Sequence, residues 1–303
     1  MTSWQCKSLK AYYRFNRLLH PFPDELDVER ERAWLEATMA RYGPRVELQS
    51  STVQAGNVPA EWVVPPATQA DRIVLYLHGG AYCLGSLDSY RTFAASVANA
   101  AQARALLLDY HLAPEHPFPA ALQDAQTAYA WLLGQGIAPE QIALAGDSAG
   151  GGLVLALMAS LRDADQPLPA AGVCLSPWTD LSLSGRSWTT NAQRELVLSP
   201  VILRQMGQAY LADADPRTPL ASPLYADLAG LSPLLVQVGG DEGLLSDAEE
   251  VALRARAAGV DVELEVWPGL WHVWQLTSRF VPEGRKAIQR IGAFLQPRFA
   301  EAA

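Results

Sequence analysis

The segment Gly146-Asp147-Ser148-Ala149-Gly150 places one serine between two glycines, in a G-x-S-x-G pattern. It lies between the apolar run QIALAGDS and a stretch rich in Ala and Leu, so we expect a tight turn from a strand into a helix. Small residues on both sides of Ser148 let such a turn expose its hydroxyl group. The first amides of the helix would supply partial positive charge to a developing oxyanion. The pattern therefore predicts that Ser148 is a nucleophile.

A second stretch of small residues, His78-Gly79-Gly80-Ala81, ends the apolar run RIVLYLHG. Small residues at such a point let backbone N–H groups approach a substrate oxygen closely. Alone, the stretch would be interpreted as a plain Gly-Gly turn, but beside a nucleophilic serine it indicates an oxyanion-binding loop. His78 is a second candidate for the catalytic base. Its position at a strand end indicates instead that it braces the loop by hydrogen bonding.

A nucleophilic serine needs a base, and the chain has five histidines that could take this role. His272 lies in the loop PGLWHVWQL after the last predicted strand, from which its ring can reach across the strand ends. A packed loop histidine is the alternative interpretation. The other histidines lie in the N-terminal segment, in the small-residue stretch and in a Pro-rich loop: His20, His78, His111 and His116.

A carboxylate that orients the base is expected in the loop after the apolar run PLLVQVGG, where Asp241 and Glu242 are adjacent. Successive side chains near a strand end point in different directions, so only one of the two can face the histidine. We expect the other to point outward or to cap the following helix. Asp247 falls inside that predicted helix, where we expect a solvated or capping carboxylate. From the residues alone, either Asp241 or Glu242 could be the acid.

The elements that position these residues follow from hydrophobic periodicity. Residues 46–53 and 60–64 alternate like half-buried antiparallel strands, and five short apolar runs follow that are typical of buried parallel strands. Helix-like stretches separate the runs, and a final strand is expected over 260–267. This pattern predicts an α/β sheet of about eight strands with helices on both faces. The apolar runs are 72–79, 103–110, 141–148, 171–177 and 233–240, and the helical stretches are 24–42, 89–101, 118–134, 149–162, 244–258 and 284–296.

Two segments fall outside this alternation. We expect residues 1–45 to form an N-terminal helical cap and residues 46–303 to form the catalytic domain, with 183–225 contributing to the cap. The N-terminal segment carries large apolar side chains that we expect to close over the strand ends and bound an acyl pocket. These are Trp4, Tyr12, Tyr13, Phe15, Leu18 and Leu19.

Five sequence blocks occur in an order that resembles the hormone-sensitive-lipase family of α/β-hydrolases, microbial carboxylesterases with a GDSAG motif. The similarity runs from about residue 71 to the C-terminus. The blocks are HGGA-Y at 78–82, DYHLAPEHPFPAALQD at 109–124, GDSAGG at 146–151, SPWTDLS at 176–182 and GLWHVWQ at 269–275. Two positions depart from the family pattern: Ala81 replaces a glycine of HGG-G, and His111 replaces an arginine that would form a salt bridge.

The resemblance implies a role for each candidate residue. The family's D-x-L pattern falls on Glu242-Gly243-Leu244, which implies a triad of Ser148, His272 and Glu242 with Asp241 as the second choice for the acid. The amides of Gly80, Ala81 and Ala149 would form the oxyanion hole, and Tyr82 would contact the substrate. The family's mechanism needs neither a metal nor a cofactor.

Composition narrows the class of protein. Half of the 303 residues are hydrophobic and 18% are charged, and the net charge of −9 makes nucleic-acid and anionic-membrane partners unlikely. The three cysteines form no CxxC pair, which argues against a disulfide scaffold or a structural zinc site. We find neither a secretory signal nor a run of 18 apolar residues, so we expect a cytoplasmic protein. The strand VDVELEVW could pair across a homodimer axis, although its acidic residues also suit a monomer edge.

These residues together predict a carboxylesterase that acts on short, uncharged acyl esters by an acyl-enzyme mechanism. A lactonase or an amidase would use the same triad, so both remain open. A non-catalytic small-molecule receptor of this fold is a third alternative. Such receptors lack the catalytic histidine, and the presence of His272 argues against this alternative.

Overall fold

The computed structural model describes residues 2–66 and 68–299. Within them eight strands form one sheet: β1 Gln49–Ala55, β2 Val58–Val64, β3 Ile73–Leu77, β4 Arg104–Leu108, β5 Ile142–Asp147, β6 Ala171–Leu175, β7 Leu234–Gly239 and β8 Val262–Trp267. The sheet order is β1-β2-β4-β3-β5-β6-β7-β8. The first three strands in that order pair antiparallel, and from β4 to β8 every pairing is parallel. The predicted α/β-hydrolase fold with a mostly parallel sheet is therefore confirmed.

The central strands are buried on both faces because helices cover both sides of the sheet. In β3, Leu75 and Leu77 face one hydrophobic core, while Val74 and Tyr76 face the other. Side chains alternate across a strand, so a strand between two helical layers must be apolar at nearly every position. This explains the short continuous apolar runs in the sequence.

Nine α-helices lie within the described residues, and they pack in two layers. Helices α3 and α9 contribute to the core on one face, and α4, α5 and α8 contribute to the core on the other. The helices are α1 Trp4–Leu19, α2 Val28–Tyr42, α3 Leu87–Ala101, α4 Ala120–Gly134, α5 Ala149–Asp163, α6 Ser187–Thr190, α7 Pro200–Leu211, α8 Leu245–Ala257 and α9 Pro282–Leu295. No helix in these ranges is long and apolar enough to cross a membrane.

Helix α1 packs on the protein through one side only, whereas we expected its large apolar side chains to close over the strand ends. Cys6, Leu9 and Tyr13 lie against the cluster that contains Trp271, and the rings of Tyr13 and Trp271 meet edge to face at 5.5 Å. The other large apolar side chains of this helix are exposed rather than closed over the strand ends: Trp4, Tyr12, Phe15, Leu18 and Leu19. Of the six expected pocket residues, only Tyr13 faces the protein.

The parallel strands bring the candidate residues to one edge of the sheet. The 78–81 stretch follows β3, Ser148 follows β5, Glu242 follows β7 and His272 follows β8. Parallel strands end at the same edge, so all four loops meet there. His111, which replaces the family's arginine, instead bonds Asp124 through its ring at 2.7 Å and through its backbone N–H at 2.7 Å.

Candidate active site

Ser148 occupies a strained turn between β5 and α5. Its φ of +54° and ψ of −120° are unfavourable for a residue with a side chain, and such strain is typical of a nucleophile elbow. Its N–H donates to the carbonyl of Leu175 at 2.8 Å, which fixes the turn to the neighbouring strand. A Cβ on Gly146 would collide with the carbonyl of Gly150, and one on Gly150 would collide with the carbonyl of Leu77. Both glycines are therefore needed for the close approach of helix and strand.

Glu242 and His272 are in direct contact at the edge of the sheet. Oε2 of Glu242 lies 2.7 Å from Nδ1 of His272, and both side chains are buried. Burial lowers the pKa of His272, but the hydrogen bond and charge of Glu242, together with the charges of Glu195 and Asp147, raise that pKa above its ordinary value. The arrangement can hold a proton on Nδ1, which leaves Nε2 free to accept one.

The hydroxyl of Ser176 joins the acid loop to the histidine loop. It donates to Oε1 of Glu242 at 2.9 Å and accepts the N–H of Val273, the residue after His272, at 3.1 Å. The N–H of Gly239 also donates to Oε1 of Glu242. One carboxylate oxygen is thus occupied by fixed donors while the other faces the imidazole ring. Because three loops share these bonds, the orientation of Glu242 is determined by its surroundings.

Asp241, the competing acid, points toward helix α1. Its Oδ2 lies 2.5 Å from Nζ of Lys10, and its Oδ1 lies 3.7 Å from the guanidinium of Arg194. The expectation that the second carboxylate points outward or caps the next helix is wrong, because α8 begins without a side-chain cap and Asp241 is buried in an ion pair. The two adjacent carboxylates therefore face different partners.

Asp247 is buried rather than solvated or capping. Its Oδ2 accepts the N–H groups of Thr179 at 3.0 Å and Asp180 at 2.9 Å, which fixes the loop after β6. Its Oδ1 is buried without a hydrogen-bond partner among the described residues. Burial raises the pKa of Asp247 to about 8, so this carboxyl group retains a proton near neutral pH.

The 78–81 stretch forms a turn with two left-handed residues after His78. Gly80 has φ +110° and Ala81 has φ +53°, and a Cβ on Gly80 would collide with the carbonyl of Leu84. The N–H of Gly79 donates to Asp147 at 3.1 Å, which joins this turn to the residue before Ser148. Burial raises the pKa of Asp147 to about 6 even though Tyr76 donates a hydrogen bond to it. With its φ of +53°, Ala81, which stands where the family has a glycine, adopts a left-handed conformation that glycine prefers.

His78 is fixed in the interior. Its Nδ1 lies 2.7 Å from the carbonyl of Gly79, and its ring stacks between those of Tyr90 and Tyr110. Burial lowers the pKa of His78 to about 4, so the ring is neutral at physiological pH. These contacts agree with a bracing role in the turn.

Tyr82 lies in the core beside the cap segment. Its ring stacks on that of Tyr210 at 3.8 Å and lies 6.3 Å from that of Trp178. Only 1% of Tyr82 is exposed. Contact between this ring and a substrate stays a prediction.

Several side chains around the acid loop were not identified from the sequence. Asn191 donates to the carbonyl of Glu242 at 2.8 Å, and Oε2 of Glu195 accepts the N–H of Gly243 at 2.6 Å. Glu195 is also close enough to His272 for its charge to raise the pKa of that histidine. Both residues come from the polar 183–225 segment, in which no motif distinguishes them. Ser176 lies in the SPWTDLS block, so this block was the available signal for its role.

The similarities to known proteins agree with this architecture. A family model described as the alpha/beta hydrolase fold matches residues 74–276. The chain is 47% identical over 275 residues to an acetyl-hydrolase of Streptomyces hygroscopicus, covering 91% of this chain and 92% of that protein. It is 34% identical over 287 residues to an esterase of Acinetobacter venetianus, covering 94% and 93%.

A solved structure shows that the similarity extends to the three-dimensional fold. An esterase from the bacterial hormone-sensitive lipase family superposes with a TM-score of 0.93 at 45% identity, over 99% of this chain and 100% of that one. The similarity extends over nearly the whole chain. The chain therefore belongs to the hormone-sensitive-lipase family of α/β-hydrolases.

Proposed function

We propose that this protein is a carboxylesterase that hydrolyses short-chain acyl esters through Ser148, His272 and Glu242. The buried contact of 2.7 Å between Oε2 of Glu242 and Nδ1 of His272 carries the proposal. A carboxylate at this position holds the neutral histidine in the tautomer that accepts a proton on Nε2. The family membership of the chain supports the same chemistry.

The reaction starts when Oγ of Ser148 attacks the acyl carbon and its proton passes to Nε2 of His272. Glu242 stabilises the imidazolium that forms. The tetrahedral oxyanion accepts hydrogen bonds from the amides of Gly80, Ala81 and Ala149, each worth about 3 kcal/mol.

The alcohol then leaves with the proton of His272, and an acyl-enzyme ester remains on Ser148. Water attacks this ester, with His272 again taking the proton, and the carboxylic acid and free serine are regenerated. The reaction thus consumes one ester and one water molecule and returns the enzyme to its starting form.

Shielding of the two reacting side chains supports the preference for short acyl groups. Ser148 is 6% exposed and His272 is 7% exposed, so surrounding residues cover most of both. Contacts link the N-terminal segment to the 183–225 segment. Gln205 of α7 accepts the N–H of Leu26 at 2.8 Å and donates to the carbonyl of Asp24 at 2.8 Å. We therefore take residues 1–45 and 183–225 as a cap over the domain formed by 46–303.

Hydrolysis of p-nitrophenyl acetate, compared with a long-chain p-nitrophenyl ester, a γ-lactone and an acyl amide, tests the proposal. We expect the specificity constant to be highest for the short ester. Hydrolysis of this ester should be lost in Ser148→Ala and retained in Ser232→Ala. Ser232 precedes β7 at the opposite end of the sheet. Preference for a lactone, an amide or acyl chains beyond about ten carbons would contradict the proposed substrate class.

Chemical labelling tests the nucleophile separately. An alkyl phosphonate should modify Ser148 alone, and labelling of another residue with full loss of activity would overturn the assignment. A cytoplasmic location and a homodimer stay predictions.

A further inference from the structure

The outward side of helix α1 is apolar and largely exposed. Trp4, Tyr12, Phe15, Leu18 and Leu19 follow the three- and four-residue spacing of one helix face. Trp4 is 73% exposed, Phe15 61% and Leu18 82%. We call these five residues the outer face of α1. Five large apolar side chains on one exposed helix face are more than isolated surface residues would give.

Helix α1 cannot turn this face inward without losing the contacts of its other side. Cys6 and Tyr13 pack on the cluster that contains Trp271, and Lys10 forms the ion pair with Asp241. Ser3 donates to Glu283 through its side chain at 2.8 Å. The helix thus has two apolar sides, one for the core and one for something outside the chain.

Aromatic and basic residues extend the outer face beyond α1. Tyr42 lies close enough to Tyr12 to raise the pKa of that residue, and the Tyr42 and Phe280 rings lie 6.5 Å apart. The Arg41 guanidinium lies 5.3 Å from the centroid of the Tyr42 ring, and that of Arg279 lies 4.9 Å from the centroid of the Phe280 ring. Both arginines are exposed.

The charges on α1 all have one sign. The helix sequence WQCKSLKAYYRFNRLL contains four basic residues and no acidic one, and Lys7 and Arg14 are exposed beside the outer face. Glu283, which lies beside the start of the helix, is held by Ser3. Aromatic and leucine side chains next to lysine and arginine are typical of helices that lie in the surface of an anionic bilayer.

We propose that the outer face of α1, with Tyr42, Phe280 and the adjoining basic residues, docks this protein onto an anionic lipid surface. The apolar side chains enter the boundary between headgroups and acyl chains, and Lys7, Arg14, Arg41 and Arg279 contact the phosphate groups. The net charge of −9 predicts no such partner. It is an average over the whole surface, whereas docking depends on the charge within about 10 Å of the lipid.

A second copy of this chain is a poorer occupant. A two-fold contact through the outer face would bring the same patch of each copy together. Lys7, Arg14, Arg41 and Arg279 would then face one another, and α1 carries no carboxylate to neutralise them. An anionic lipid surface supplies the missing negative charge.

Co-sedimentation of the full chain with vesicles tests the proposal. One set contains phosphatidylcholine alone, and the other is an equimolar mixture with phosphatidylglycerol. We expect binding to the anionic vesicles at low salt and release at high salt. Arg14→Gln should weaken binding about fivefold and Leu19→Ser about tenfold.

The chain offers matched controls for both variants. Leu253 on α8 is 60% exposed, as Leu19 is 59% exposed, and Arg186 is an exposed arginine outside α1. Leu253→Ser and Arg186→Gln should leave vesicle binding unchanged, and all four variants should keep hydrolysis of p-nitrophenyl acetate. Because docking is measured without substrate, its failure is distinguishable from failure of the esterase proposal.

Three outcomes would overturn the docking proposal. The first is absence of binding to the anionic vesicles at low salt. The second is equal binding to both kinds of vesicle without an effect of Arg14→Gln. The third is self-association in lipid-free sedimentation velocity that Leu19→Ser abolishes, which would assign the face to a second copy of the chain.

Discussion

Replacement of Glu242 by glutamine separates the charge of the proposed triad acid from its shape. Glutamine keeps the volume of the buried side chain, and its carbonyl can still accept from Ser176 and Gly239. Its amide group then faces Nδ1 of His272, where the carboxylate lies 2.7 Å away in the native protein. An amide N–H cannot accept the Nδ1 proton, so the ring is driven to the tautomer with the proton on Nε2.

The expected loss follows from that tautomer. Glu242→Gln should lower kcat on the order of 10⁴-fold, as for the corresponding amide substitution in serine proteases, while KM changes little. A loss of this size corresponds to about 5.5 kcal/mol of transition-state stabilisation. The assay is steady-state hydrolysis of p-nitrophenyl acetate, with circular dichroism to verify folding.

The pH profile gives a second readout. The hydrogen bond and charge of Glu242 raise the pKa of His272, and the neutral ring is the form that accepts the serine proton. Activity therefore rises as pH passes upward through that pKa. Removal of the charge should move this acidic limb of kcat/KM to lower pH, provided that the residual rate is measurable.

Asp241→Asn is the matched control at the adjacent position. It breaks the ion pair with Lys10, so it should cost about 1–3 kcal/mol of unfolding free energy, yet leave kcat within about tenfold. The reverse result, with Asp241→Asn inactive and Glu242→Gln active, would refute the reasoning from this geometry.

Three further substitutions test other parts of the site. Ser176→Ala should lower kcat about tenfold with little change in KM, because Glu242 loses one of its two hydrogen bonds at Oε1; an unchanged kcat would contradict this role. Ala81→Gly should raise kcat/KM for tert-butyl acetate about tenfold relative to n-butyl acetate, because it removes a methyl group from the proposed oxyanion loop. An equal change for both esters would show that this methyl group does not limit the size of the alcohol. Asp247→Asn should raise the Tm relative to native protein more at about pH 9 than at about pH 5, as read by differential scanning calorimetry. In the folded protein the pKa of the Asp247 carboxyl group is raised to about 8. Its contribution to stability therefore falls as pH rises from its pKa in the unfolded chain to about 8. A Tm difference that does not change with pH would contradict this assignment.

The sequence by itself indicated the candidate chemistry and most of the fold. The G-x-S-x-G turn needs small residues for steric reasons that hold in any surroundings, so Ser148 could be singled out as a candidate nucleophile without a structure. Period-two and continuous apolar runs follow from how many faces of a strand are covered, which made the parallel sheet predictable. The positions of His78 and His272 at strand ends followed from the same pattern.

Only the tertiary structure decided where neighbouring polar groups point. Asp241 and Glu242 are adjacent and chemically alike, and the difference between them arises from Lys10 and Ser176, which are distant in the sequence. Asp247 is buried because the loop after β6 folds over it, and its carboxylate accepts backbone N–H groups that no local pattern reveals.

The sequence alone also could not show which side of α1 is buried. Apolar side chains at helical spacing predict a helix, but Tyr13 and Phe15 differ in burial only through what lies beside them. Burial and hydrogen bonding depend on contacts between residues far apart in the chain, whereas local patterns depend on the backbone and its immediate neighbours. The sequence therefore fixes which groups are present, and the packed fold decides which of them meet.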